Sequence, residues 1–449
     1  MADASAFAER AHVALDQDRL RATIRLATGI MVDGRARALK QLSDPDTVRD
    51  AARAMRSGVM ERLPDVLEQW ADNLEKLGGK ICWAATAEEA VAYVLQVARQ
   101  REAKMIAKSK SMASEEIHLN HALEAEGIEV VETDLGEFII QLAHETPSHI
   151  IAPAIHKNRD DVAGLFSEDA GRAIPPDIPE EAKYARARLR EAFLRADIGL
   201  SGVNFAVADT GSICIVTNEG NGRMVTSLPP VHIAIMGMER IVRDWEELDV
   251  ILSILARSAT GQQITVYTNI ITGPRQEGEL DGPEDLHVIV LDNGRHRVLG
   301  SEFREALNCI RCGACLNACP VYRNVGGHSY GSTYSGPIGA VLTPLLHPED
   351  REARELSQAS SLCAACVEAC PVRIPLADML LGLRRRDIGD LGAGKRAGFK
   401  AWSYLWSTRA GFALTKVLAG PGLAIGRRLK DGPGWAGNWL RYRTAPKRK

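Results

Sequence analysis

Cys309-Ile-Arg-Cys312-Gly-Ala-Cys315-Leu-Asn-Ala-Cys319-Pro320 is echoed further along the chain by Cys363-Ala-Ala-Cys366-Val-Glu-Ala-Cys370-Pro371. Seven of the nine cysteines lie in these two runs. The first has the spacing C-x2-C-x2-C-x3-C-P. The second matches its last three cysteines and carries Ser360 where the first would stand. Two-residue gaps let one tight loop present three sulfurs while its backbone N–H groups turn toward them. Gly313 keeps one gap uncrowded, and the proline after each run diverts the chain. Close clustering of this kind argues for metal ligation rather than disulfides.

The spacing is that of bacterial two-cluster ferredoxins, in which the fourth cysteine ligates the other cluster. On that pattern Cys309, Cys312, Cys315 and Cys370 share one iron–sulfur cluster, and Cys319, Cys363 and Cys366 share a second. The second then has three protein thiolates. It is either a 4Fe-4S cluster completed by Ser360, a carboxylate, water or substrate, or a 3Fe-4S cluster; 4Fe-4S in both sites is the favoured expectation. Zinc does not require the crossed x2, x2, x3-Pro arrangement. Two adjacent clusters make an electron path. Cys82 and Cys214 fall among apolar neighbours on expected strands and read as packing residues.

Outward from the cysteines, the 449 residues exceed one ordinary core, and 45% apolar with 25% charged residues is the usage of a globular protein. Residues 1–79 read as a helical lead-in, with Ser43-Asp44-Pro45 offering a cap and a first-turn proline. Residues 80–295 alternate short apolar runs with helical segments, which implies an α/β domain of parallel strands covered on both faces. The runs are 81–83, 105–107, 128–131, 149–153, 204–208, 212–217, 231–236, 263–267 and 286–291. Residues 168–198 read as a polar loop followed by a charged helix. The cysteine domain spans 296–385 without a low-complexity linker, so the two domains should pack together.

Residues 386–449 form a basic, Trp-rich region. From Arg384 onward, 16 Lys and Arg stand against three Asp, and Trp402, Trp406, Trp435 and Trp439 lie among them. Short helices are expected at 397–408 and 411–419. Such a tail suits an acidic partner or anionic lipid; nucleic acid is the weakest candidate. The opening residues lack a basic region followed by an apolar run, and no stretch is long and apolar enough to span a bilayer. The expected location is cytoplasmic, with peripheral contact at the inner face of a membrane.

Two stretches of the α/β domain are candidate ligand sites. Lys108-Ser109-Lys110-Ser111 follows an expected strand and precedes a helix, where an anion could sit; a capped helix start explains it equally well. Ala208-Asp-Thr-Gly211 with Thr217-Asn-Glu-Gly-Asn-Gly-Arg223 is either turn chemistry or a polar pocket, with Glu219 a conceivable carboxylate nucleophile. No dinucleotide or P-loop fingerprint occurs in a strand-to-helix context. His144, His149 and His156 match no zinc-binding helix spacing, so they read as ordinary core or surface histidines.

The order of Lys108-Ser-Lys-Ser111, Val131-Glu-Thr-Asp-Leu-Gly-Glu137, Pro147-Ser-His-Ile-Ile151, Ala208-Asp-Thr-Gly211, Thr217-Asn-Glu-Gly-Asn221 and the two cysteine runs resembles the lactate utilization protein B family over nearly the whole chain. The resemblance implies a LUD-type α/β domain, similar to the sugar-phosphate isomerase and CoA-transferase class, joined to a mostly helical dicluster ferredoxin-like domain. It also implies an electron-transfer subunit of a multi-protein L-lactate oxidation system, working with a cysteine-rich subunit, a second LUD-type protein and an unidentified electron acceptor. The family's second run is likewise C-x2-C-x3-C-P, so the serine does not count against the match. The alternative is an enzyme transferring an acyl group or CoA on a small anion, with regulatory or structural clusters.

Overall fold

The computed structural model describes residues 6–387, 393–415 and 417. Phe7–Leu381 forms one compact unit. Its centre is a six-stranded sheet of β1 (Lys80–Ala84), β2 (Met105–Lys108), β3 (Glu129–Glu132), β4 (Ile198–Gly202), β7 (Val231–Gly237) and β10 (Asp285–Leu291), in the order β1-β10-β7-β4-β2-β3. Every neighbouring pair is parallel. A parallel sheet must be covered on both faces, which is why its inner strands are near-continuous apolar runs. Alternation divides the residues between the faces. Ile106 packs with Leu119, Leu123, Ile198 and Ile289, whereas Met105 and Ala107 pack with Phe138, Phe166, Leu189 and Phe193.

A second, four-stranded sheet joins β5 (Phe205–Val207), β6 (Ser212–Thr217), β8 (Ile241–Val242) and β9 (Tyr267–Ile271) in the order β8-β5-β6-β9. β5 and β6 form an antiparallel hairpin. Three sequence expectations change here. The run expected at 263–267 forms a strand only from Tyr267. Residues 149–153 form a turn, because His149 Nδ1 accepts the Ile151 and Ala152 N–H groups that a strand would give to a neighbour. β4 arises directly after the charged helix Ile178–Arg195 and takes a central place in the sheet. Its Gly199 is required there, since a Cβ would lie 1.8 Å from the Val225 carbonyl oxygen of the helix Asn221–Ser227.

The lead-in is helical at Ala6–Leu15, Asp18–Leu39, Pro45–Glu61 and Leu63–Lys76. Asp44 caps the third helix by accepting from the Asp46 and Thr47 N–H groups, and Pro64 sits in the first turn of the fourth. These helices reach the cysteine region as well as the sheet. Arg49 donates to the carbonyls of Glu368 and Cys370, and buried Arg56 donates to those of Glu239, Ile241 and Leu307. The cysteine region is a set of short helices around Gly336–Leu346, all eleven of whose residues are buried.

The basic tail is described as a helix at Ala393–Ser407 and the short helical stretch beyond it. Trp402 and Trp406 stack with centroids 5.4 Å apart and remain exposed. Trp435 and Trp439 lie outside the described residues. No described helix is long and apolar enough to cross a membrane.

Candidate iron–sulfur sites and an adjoining cavity

The two cysteine runs fold alike. In the first, Arg311 and Gly313 take positive φ of 58° and 73°; in the second, Leu362 and Ala364 take 55° and 63°. Each loop then enters a five-residue helix, Ala314–Ala318 and Ala365–Ala369, and leaves it in extended backbone at Cys319 and Cys370. The Arg311 N–H lies 3.4 Å from Cys309 Sγ, and the Leu362 N–H donates to Ser360 Oγ at 3.1 Å. Ser360 thus occupies in its loop the place that Cys309 occupies in the first.

The thiols fall into two groups. Cys312 interacts with Cys370 and Cys309, and Cys315 with Cys309, Cys312 and Cys370. Cys309, Cys312, Cys315 and Cys370 line one small cavity with Ile150, Ile338, Ile374 and Leu376. Separately, Cys366 interacts with Cys319 and Cys363. Cys315 also lies near enough to Cys366 for their charges to interact, so the groups adjoin.

All these cysteines are free of disulfides. The Tyr322 N–H lies 3.5 Å from Cys319 Sγ and the Ile374 N–H 3.3 Å from Cys370 Sγ. Burial pushes Cys312 and Cys366 up to about 12 and Cys370 up to about 11. Converging buried thiols with backbone donors at sulfur fit a metal cluster, whose cations replace protons that the bare thiols would keep. Guanidiniums stand by the first group: half-buried Arg35 near Cys312 and Cys370, and Arg240, Arg56 and Arg311 near Cys309. Cys363 is exposed, so the second group reaches the surface.

Of the stretches singled out in the α/β domain, residues 109–111 and 217–222 line one cavity of about 530 Å³, whereas 208–211 lies apart from it, its Ala208 and Asp209 carbonyls accepting from Asn73 and the Asp209 carboxylate from Gln69 of the lead-in. It opens at the carboxyl ends of β2, β3, β4 and β7, where open α/β sheets bind ligands. Ser109, Lys110 and Ser111 come from the loop after β2, Asp134 from that after β3, Glu219 from that after β6, and Asn221 from the start of the helix that follows. The far wall holds Arg311 and Tyr334 of the cysteine region. Lys108 is not part of it, being buried against Glu115 and Glu132, which hold its ammonium in the charged form despite burial. Ser111 caps the helix Met112–Glu116 by accepting from the Ser114 N–H, so capping and cavity lining coexist in one stretch.

Below the cavity, Arg295 donates to both oxygens of Glu116 at 2.9 and 2.7 Å and to Glu239 at 2.8 Å. Glu239 also pairs with Arg311 at 3.3 Å, and Arg311 stacks 4.2 Å over the Tyr334 ring. Tyr334 donates to Glu116 at 2.5 Å, while Arg240 donates to the Cys309 carbonyl at 2.9 Å. Burial raises Glu219 to about 7, with Asp134 adding to the shift. His149, lowered to about 3 by burial and then by Lys110, shares a hydrogen bond with Asn317 and packs against the Gly313 turn. His156 instead joins Glu145 and His328 on another face. Cys82 is partly buried on β1, and burial raises buried Cys214 of β6 to about 12.

A family model described as the LUD domain matches residues 67–291, and one described as a 4Fe-4S dicluster domain matches residues 305–374. Lactate utilization protein B of Bacillus licheniformis is 47% identical over 98% of this chain and 94% of its own. That of Bacillus subtilis (strain 168) is 46% identical over 98% of this chain and 93% of its own. The chain belongs to the lactate utilization protein B family. A solved structure of a DUF162 family protein from Deinococcus radiodurans is 14% identical, covers 51% of this chain and 98% of that one, and superposes with a TM-score of 0.28.

For this family member the resemblance drawn from the sequence holds, together with the LUD and 4Fe-4S dicluster domains it implied. Sequence reasoning missed Glu116, Glu239, Arg240, Arg295, Arg311 and Tyr334, which join the two domains. Only Arg311 carried a signal, being a cation inside a cysteine gap. The others depend on contacts between residues far apart in the chain.

Proposed function

We propose that this chain is the electron-transfer subunit of a multi-protein system that oxidises L-lactate to pyruvate. The observation that carries the reading is the division of seven cysteines into two adjoining groups, one enclosed and one reaching the surface at Cys363. Cys309, Cys312, Cys315 and Cys370 would hold one 4Fe-4S cluster; Cys319, Cys363 and Cys366 would hold a second, with Ser360 Oγ as its fourth ligand. Bound there, the clusters supply reversible one-electron storage. The guanidiniums beside the first group offset the negative charge of a tetrathiolate site, and Ile150, Ile338, Ile374 and Leu376 exclude water from it. The exposure of Cys363 suits exchange with a partner, in keeping with a cysteine-rich subunit and a second LUD-type protein.

Anaerobic reconstitution is expected to give about eight irons per chain. When the chain is purified with its partners, L-lactate is expected to bleach the visible absorption of the bound clusters. An iron-replete assembly that lactate leaves oxidised would overturn the reading. The basic tail is proposed to rest on anionic lipid through Trp402, Trp406 and neighbouring Arg and Lys residues. Co-sedimentation with phosphatidylserine vesicles should therefore weaken as salt rises; no sedimentation at low salt would remove that contact.

A further inference from the structure

The cavity between the LUD sheet and the first cysteine loop holds two cationic side chains with unpartnered donor atoms. Arg295 is paired with Glu116 and Glu239, Arg311 with Glu239, and Arg240 donates to the Cys309 carbonyl. Arg311 Nη1 is buried without a hydrogen-bond partner. Across the same cavity Lys110 Nζ is also buried without one. Its nearest carboxylate oxygen is that of Glu137 at 3.9 Å, beyond hydrogen-bond reach, and burial raises the Glu137 carboxyl above the ordinary carboxylate range. Buried donors left unpaired cost free energy that a bound acceptor recovers.

We propose that this cavity binds a short 2-hydroxy carboxylate, its carboxylate taken by the free donors of Lys110 and Arg311 and its hydroxyl end turned toward Glu219. The inference rests on the lactate-utilization reading and deepens it by giving this chain a substrate site. An anion answers the unpartnered donors of Lys110 and Arg311, while Asn204, Thr217 and Asn221 line the same cavity and offer polar groups to a hydroxyl. Three carbons do not fill 530 Å³, so the walls select chemical class more than chain length. Arg311 belongs to the loop carrying Cys309 and Cys312, which places the bound acid beside the first group of thiols.

The test uses the cluster-loaded chain without its partners, titrated with L-lactate by calorimetry under anaerobic conditions. Lys110→Met keeps the aliphatic stem and removes the donor; loss of one charge-assisted hydrogen bond is expected to weaken binding about 10- to 100-fold, with iron content and visible spectrum unchanged. Lactamide, which lacks the charge, should not compete. The charged groups facing Glu219 are Asp134 and Lys110, and ionisation of Glu219 adds a negative charge beside the ligand. Affinity should therefore fall as pH rises through about 7, and Glu219→Gln should flatten that dependence. Equal binding by wild type and Lys110→Met overturns the proposal. So does no binding by an iron-replete chain; if that chain still accepts electrons from its partners, the electron-transfer reading stands and only the substrate site fails.

Discussion

Replacing Cys370 by Ala is expected to remove the cluster proposed for Cys309, Cys312 and Cys315, although Cys370 follows them by more than fifty residues. Its neighbours within the second run, Cys363 and Cys366, interact with Cys319 instead. Iron content should fall from about eight to about four per chain, with the signal of the cluster near Cys363 retained. Loss confined to that other cluster would overturn the crossed arrangement. Ser360 provides the complementary case, because its Oγ receives the loop N–H just as Cys309 Sγ does. Ser360→Ala should convert the second cluster toward a 3Fe form visible by electron paramagnetic resonance, whereas Ser360→Cys should keep four irons. A four-iron second cluster unchanged in Ser360→Ala would show that the hydroxyl is not a ligand.

The sequence makes local chemistry legible and leaves distant contacts hidden. Loop geometry in the cysteine runs follows from spacing, since x2 gaps between ligands admit few backbone paths. The strands around Ile106, Val130, Ile233 and Val288 are apparent because a parallel sheet buries both faces and needs unbroken apolar runs. β4 is obscured by Gly199 and Gly202, whose presence answers to Val225 and Ser111 rather than to strand propensity. The union of Lys110 and Glu219 in one cavity is likewise invisible, since Lys110 follows β2 of the six-stranded sheet and Glu219 follows β6 of the four-stranded sheet, segments well separated in the chain. The short motifs gave correct local reasons for Ser111 as a cap but could not say that Lys108 is consumed by Glu115 and Glu132 while Lys110 Nζ is left without a hydrogen bond.

Arg295→Met is expected to be the most destabilising substitution at the junction of the two domains. The guanidinium is 1% exposed and bonds three carboxylate oxygens. Removing it leaves Glu116 and Glu239 buried without their main counter-ion, a loss of about 3–5 kcal/mol. Burial alone would raise the Glu116 carboxyl, but Arg295 overcomes that and holds it down at about 2, against an ordinary 4.5. A depressed carboxylate contributes stability that is complete above its unfolded value and disappears as pH falls through the folded one; here the contribution is on the order of 3 kcal/mol. The deficit of Arg295→Met, measured by denaturant unfolding of the cluster-loaded chain, should therefore be largest near neutral pH and shrink below about 4.5. Adding Glu116→Gln should recover part of it, since the double variant no longer buries one of the unpaired charges. A pH-independent deficit, or one that Glu116→Gln simply adds to, would mean that Arg295 acts by packing rather than by charge.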